Sequence, residues 1–331
     1  MSTSSGIGGG PAVSGIQAVL DAGGAPASRL IGRLEARMAE LAAGHGEQLA
    51  RYAGDTLSAG GKRLRPLLVF LAAGAPPPET DGLLRAAVAV ELVHSATLVH
   101  DDVLDGSPLR RGRPTIVAAA GRRMATATGD LLLSRAFHEL AAGGSLPSVR
   151  TLSRASTELA AGELIQRADA WQAVPVERYL ERCRLKTGVL FRAACELGAI
   201  HGQGPVRTLG AFGETIGIAF QLLDDILDVT GPPERTGKPR GADLLDGTVT
   251  LPLLLARDRS VALAALDPHS VDSDERAAAV CDQIVATGAV ELARIRALEM
   301  IAQAKSQLPV LEASQRRALE LVADGVVERY A

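Results

Sequence analysis

The sequence predicts an all-α fold. Apolar residues recur at spacings of three and four along most of the chain, and no convincing alternating strand runs interrupt them. Aromatic residues make up only 3% of the 331 residues, so the core must be built from Leu, Ala, Val and Ile. Leu and Ala in particular favour packed helices.

Residues 1–27 are rich in Gly, Ser, Ala and Pro and read as a flexible tail. Helical patterning begins at Ser28 and recurs over 83–104, 124–142, 151–168, 176–202, 206–229, 250–265, 275–286 and 288–329. The last of these breaks near Gln307-Leu308-Pro309. Breakers separate the segments: Gly74-Ala-Pro-Pro-Pro78, Gly143-Gly-Ser-Leu-Pro147, Gly202-Gln-Gly-Pro205 and Gly231-Pro-Pro233. The expectation is one domain over 28–331 with about ten to thirteen helices. Segment 206–229 is apolar nearly all round, which predicts a central position.

Composition excludes several classes. A net charge of -3 gives no basic footprint for nucleic acid. The three cysteines, Cys183, Cys195 and Cys281, have no metal-ligand spacing. They point to a reducing, cytoplasmic compartment. The N-terminus lacks a charged region followed by an apolar one, and no apolar run reaches the length of a membrane span.

Two carboxylate clusters carry the chemistry. Asp101-Asp102-Val-Leu-Asp105 and Asp224-Asp225-Ile-Leu-Asp228 each close a strongly apolar helix. Residues four apart share a helix face, so Asp101 projects with Asp105, and Asp224 with Asp228. Buried carboxylates without partners cost several kcal/mol each, about the scale at which a compensating cation becomes necessary. Hard carboxylate oxygens suit Mg²⁺, which takes one or two of them and shares phosphate oxygens. A solvated acidic helix end explains one cluster well, and two near-identical clusters poorly. An EF-hand is excluded because its loop glycine and final Glu are missing. A ferritin-like site is excluded because no Glu-x-x-His pair occurs on these helices.

Basic residues follow the clusters. Lys62 and Arg65 open a helix in Gly60-Gly-Lys-Arg-Leu-Arg-Pro66. There the helix N-terminus adds positive charge. Arg110 and Arg111 follow the first cluster, Lys186-Thr187 lies in a helical stretch, and Gly237-Lys238 follows the second cluster. Any one alone is an ordinary surface charge. Together they suit an anion, because a guanidinium fork donates two hydrogen bonds to phosphate.

In order and spacing, these motifs resemble the trans-isoprenyl diphosphate synthases, also called polyprenyl synthetases. The resemblance covers about residues 30–260. It implies an isoprenoid-synthase-type bundle around a deep central cavity, a homodimer, and Mg²⁺ with three ions per active site. The substrates it implies are isopentenyl diphosphate and an allylic diphosphate, with transient membrane contact for product release. Asp101, Asp105 and Asp224 are then expected to bind Mg²⁺ directly, with Asp102, Asp225 and Asp228 supporting the metal or its waters. Lys186, with Thr187, and Lys238 and Arg110 are expected at the allylic diphosphate. Lys62, Arg65, Arg111 and His94 are expected at the diphosphate of isopentenyl diphosphate, and Phe220 and Gln221 beside the reacting carbons. A class I terpene cyclase typically carries a different second metal motif, and a non-catalytic partner subunit usually loses part of the aspartate set.

The growing product is expected to run along the helix that ends in Asp101. One turn rises about 5.4 Å, close to one isoprene unit, so Ala96 and Thr97 form the first floor. Both are small, as is Val93 a turn further, which favours products of about C30–C50 over C20. Phe137 is the candidate plug from another helix. After Asp243, Leu-Leu-Asp-Gly-Thr stands where short-chain relatives carry a basic stretch.

Overall fold

The computed structural model describes residues 11–43, 51–52, 54, 56–57, 63–110, 112–232 and 239–328. Helix α1 (Pro11–Ala43) packs on α14 (Ala313–Glu328). The centre is built from α2 (Leu64–Ala73), α3 (Asp81–Asp105), α7 (Val189–Gly202) and α8 (Val206–Thr230). Helix α4 (Ile116–Ala142) lies along α3, and α5 (Leu146–Ala168) along α7. Helix α6 (Val176–Cys183) runs through a π-helical turn, Arg184–Gly188, into α7. Then come α9 (Ala242–Leu245), α10 (Leu251–Arg257), α11 (Val261–Ala264), α12 (Asp274–Ala286) and α13 (Ala289–Ser306), with α13 covering α8. Twelve α-helices longer than four residues are described, within the expected range. The sole described β-structure is the two-residue pair β1 (Leu109–Arg110) and β2 (Arg113–Pro114), which closes the loop between α3 and α4.

The expected tail boundary is corrected. Residues 11–27 are helical, and Val19 and Ala27 are buried. The helix kinks at Gly24, whose φ is 75°, with Pro26 beginning the second half. The pattern visible from Ser28 is that second half. The Gly and Pro that form the kink hide the first half in composition.

Helix α3 explains how an aspartate cluster reaches the centre. Thr80 caps it, its hydroxyl oxygen accepting from Leu83 N–H at 3.3 Å, and Gly106 ends it at a φ of 64°. Val88, Ala89 and Val90 are consecutive and all buried, so the helix is enclosed on every side. It is long and apolar enough to cross a membrane, but 72% of that window is buried inside the bundle.

Glycines set the spacing of the centre. A Cβ at Gly198 or Gly202 of α7 would strike the α2 backbone at Val69 or Ala73. A Cβ at Gly213 of α8 would likewise strike the Phe191 backbone, and one at Gly217 would strike the Phe191 side chain and the Gly188 backbone. Gly198→Ala should therefore destabilise the protein by about 1–3 kcal/mol, the scale of overpacking. Gly32→Ala, on an open face of α1, should stabilise by about 0.5–1 kcal/mol. Paired denaturant melts check both, and equal shifts for the two variants contradict the packing account.

Candidate active site

A cavity of about 300 Å³ opens among α2, α3, α5, α6, the π turn, α8, α9 and the loop after α9. Asp101 and Asp105 of α3 and Asp224 and Asp225 of α8 line it together. Each cluster sits in the last turns of its helix, where the backbone carbonyls make the helix end negative. The helix dipole therefore opposes these charges, and burial adds to it at Asp101 and Asp225. Burial pushes the Asp101 carboxyl from 3.8 up to about 6, although Lys186 pulls the other way. Burial also raises Asp225, and the Asp243 carboxylate adds to the shift.

The supporting groups are well placed. Asp225 accepts from Tyr179 OH at 2.6 Å and from Gln221 Nε2 at 2.8 Å. Gln221 Oε1 in turn accepts from Thr187 Oγ1 at 2.6 Å. The π turn presents Lys186 and Thr187 to this wall, seated by the close approach of Gly188 to α8. Such turns re-aim side chains that a regular helix would carry elsewhere. Arg65 enters from the first turn of α2, its guanidinium carbon 4.8 Å from the Phe191 ring centroid. Arg63, just before that helix, pairs with Glu35 at 2.7 Å and Glu91 at 2.8 Å and anchors the helix start. His94 and Phe220 also line the cavity.

Several expected residues stand differently. Arg110 is not on the cavity wall; it donates to Asp102 Oδ1 at 2.8 Å. Asp102 is buried on the far side of Asp101, because adjacent helical residues diverge by about 100°. Asp228 also lies off the wall, where its Oδ2 accepts from Asp243 N–H at 3.4 Å. Ala96 is buried in the core, and Thr97 alone of the two expected floor residues lines the cavity. Four residues before Asp101 keeps its face, whereas five turns away from it. Phe137 packs against the core rather than on the cavity wall. Lys62, Arg111 and Lys238 lie outside the described residues.

The sequence reading missed Glu163, Gln166 and Arg167 of α5, Tyr179 and Arg182 of α6, Asp243 of α9, and Asp246 and Thr248 of the loop after it. All but Glu163 line the cavity. Glu163 meets Lys186 Nζ at 2.7 Å. Burial raises the Glu163 carboxyl, but Lys186 and Arg167 outweigh it and hold it below its ordinary value. The one available signal was the Glu163/Arg167 spacing of four, an ordinary helix pair. Among the described residues, no three Asp, Glu, His or Cys side chains converge as a ready cation cage.

Residues 47–287 match the polyprenyl synthetase family. The chain is 45% identical over 242 residues to heptaprenyl diphosphate synthase component 2 of Geobacillus stearothermophilus, covering 71% of this chain and 75% of that protein. It is 36% identical to a geranylgeranyl diphosphate synthase of Methanosarcina mazei, covering 86% and 90% respectively. The fold is similar to the crystal structure of heptaprenyl diphosphate synthase from Staphylococcus aureus, with a TM-score of 0.84, 30% identity, and 92% and 99% of the two chains covered. With this match across the segment that holds both aspartate clusters, the chain belongs to the polyprenyl synthetase family, whose named relatives are prenyl diphosphate synthases.

Proposed function

We propose that the chain is a Mg²⁺-dependent trans-prenyltransferase that joins isopentenyl diphosphate to an allylic diphosphate and releases a long-chain polyprenyl diphosphate of about C30–C50. The observation that carries this reading is one cavity lined by aspartates of both clusters together with Lys186, Arg65 and Phe220. Mg²⁺ fits such walls without a cage, since it takes one or two carboxylates and completes its shell with water and phosphate oxygens. Asp101, Asp105 and Asp224 would hold it, and Asp243 and Asp246 add carboxylates to the same cavity. When bound, the metal acts as a Lewis acid on the diphosphate oxygens.

The chain's own groups do the rest. Lys186 holds the allylic diphosphate and stabilises the charge that grows on it as the allylic C–O bond breaks. Arg65 and His94 hold the diphosphate of isopentenyl diphosphate, with Lys62 and Arg111 assigned to the same task. Lys238 joins Lys186. Arg110 pairs with Asp102 here, as Lys186 pairs with Glu163, and keeps its assignment to the allylic diphosphate. Phe220 presents an aromatic face to the carbocation and excludes water. Gln221 and Thr187 fix Asp225 and the π turn in register with Asp224. The departed diphosphate would accept the proton lost after bond formation.

The long product rests on Thr97, which is small and one turn from Asp101 on the cavity face. The names of relatives include both heptaprenyl and geranylgeranyl synthases, so C20 is the second reading. The name of the Geobacillus relative marks that protein as one component of an enzyme. All six motif aspartates are present, so we assign this chain the catalytic role, and we take the homodimer from the family resemblance. The described cysteines are free and buried, which suits a reducing cytoplasm.

Incubation of the purified chain with farnesyl and isopentenyl diphosphates should give products beyond C20, and Thr97→Phe should shorten them. Products ending at C20 in the parent contradict the long-chain assignment. Unchanged length in the variant contradicts the floor at Thr97.

Asp101→Asn should reduce kcat by at least about 10²-fold, the scale of losing one electrostatic stabiliser. The same variant should be more stable than the parent when no divalent cation is present. The folded state holds the Asp101 proton more tightly than the unfolded chain, since its carboxyl rises from 3.8 to about 6. That stability is present at low pH and lost as pH rises through about 6. At pH 7.5 the variant's Tm should therefore exceed the parent's by about 2–4 °C, and the gap should narrow towards pH 5. A lower Tm for the variant at pH 7.5 is the opposing result.

A further inference from the structure

Four side chains of alternating charge form an unbroken ladder beside the cavity. Asp105 Oδ1 accepts from an Arg167 guanidinium nitrogen at 2.6 Å. Arg167 Nε donates to Glu163 Oε1 at 2.8 Å. Glu163 Oε2 meets Lys186 Nζ at 2.7 Å. The two ends, Asp105 and Lys186, are groups that the proposed function gives to the metal ion and to the diphosphate. The two inner members lie four residues apart on α5 and have no assigned part in the reaction.

We infer that Glu163 and Arg167 are internal counter-ions of the substrate-free site: Glu163 occupies Lys186 in place of a diphosphate, and Arg167 occupies Asp105 in place of a divalent cation. This inference rests on the diphosphate reading of the cavity. Isolated pairs of such exposure, between 19% and 43%, contribute little to stability. Their importance lies in what they compete with. When Lys186 turns to a diphosphate and Asp105 to a cation, Glu163 and Arg167 retain each other through the bond they already share. No charge is then left without a partner in this half-buried wall.

If a diphosphate arrives without the cation, the exchange is unbalanced. Glu163 loses Lys186, while Arg167 remains divided between two carboxylates. The reverse holds for a cation without diphosphate: Asp105 leaves, and Arg167 and Lys186 share one carboxylate. Each ligand therefore binds better when the other is present, which is a coupling between two sites carried by the α5 pair. The ladder makes the site select a metal–diphosphate complex over either part alone.

The test is calorimetric titration of the full-length chain with inorganic pyrophosphate, in EDTA and in Mg²⁺. Glu163→Gln frees Lys186. It should bind pyrophosphate in EDTA about tenfold more tightly than the parent, within the usual range of such couplings. The further gain on adding Mg²⁺ should shrink by the same factor. The effect should persist in about 0.5 M KCl, where a contact survives and the field of a distant charge is screened. Unchanged or weaker binding in EDTA overturns the inference, as does a gain that disappears in high salt.

Arg167→Gln gives a second, independent arm through the other end of the ladder. It releases Asp105, so Mg²⁺ titrated without pyrophosphate should bind about tenfold more tightly, and unchanged or weaker binding overturns the inference. A parent that binds pyrophosphate only with Mg²⁺ supports both the site and the ladder. A parent that binds none even with Mg²⁺ overturns the diphosphate reading itself, and the ladder with it.

Discussion

Carboxylates at the negative ends of two buried helices are the constraint on which the rest of the site depends. Asp101 and Asp105 end α3, and Asp224 and Asp225 lie in the last turns of α8. Helix dipoles favour cations there, and low solvation penalises the anions at Asp101 and Asp225. The substrate-free protein answers with its own cations: Arg167 on Asp105, Arg110 on Asp102, and Lys186 near Asp101. It also answers with neutral donors, Tyr179 and Gln221 on Asp225. At Asp101 burial dominates the carboxyl even with Lys186 nearby. A strained charge of this kind is costly for stability and useful for catalysis, because a ligand cation relieves the cost at the place where it is needed.

The surrounding helices convert that strain into position. Glycine contacts between α2 and α7, and between the π turn and α8, bring backbones closer than any side chain allows. The first contact sets Arg65 at the cavity; the second sets Lys186 and Thr187 beside Gln221. Gly162 of α5 lies equally close to Leu185 and Lys186, which brings Glu163 within reach of the ammonium group. Among the described residues, most of the site's polar groups lie on helices, and close glycine contacts fix the separation of several of these.

Much of this was legible in the sequence because it is written in local spacing. The all-α class follows from periodicity, and Asp101 with Asp105 share a face because residues four apart must. The break predicted near Gln307–Pro309 falls where α13 ends at Ser306 and α14 begins at Ala313. What the sequence hid depends on tertiary arrangement or on a single turn of helix. Glu163 and Arg167 look like a surface pair until α5 is placed beside the π turn. Ala96 and Thr97 are neighbours of similar size, and only the phase of α3 sends one to the core and the other to the cavity. Arg110 follows the first cluster closely, and its pairing with Asp102 is a tertiary contact that spacing alone does not give. In the N-terminal helix, the Gly and Pro of the kink masked a helical pattern as tail composition.

The central claim is that both aspartate walls act on one shared diphosphate. A crystal structure with Mn²⁺ and inorganic pyrophosphate tests it most directly, because anomalous scattering locates the cations without ambiguity. The account predicts cations beside Asp101 and Asp105 and beside Asp224, with one pyrophosphate between them within hydrogen-bonding distance of Lys186. Cations confined to one wall, or a pyrophosphate bound away from Lys186, would contradict it.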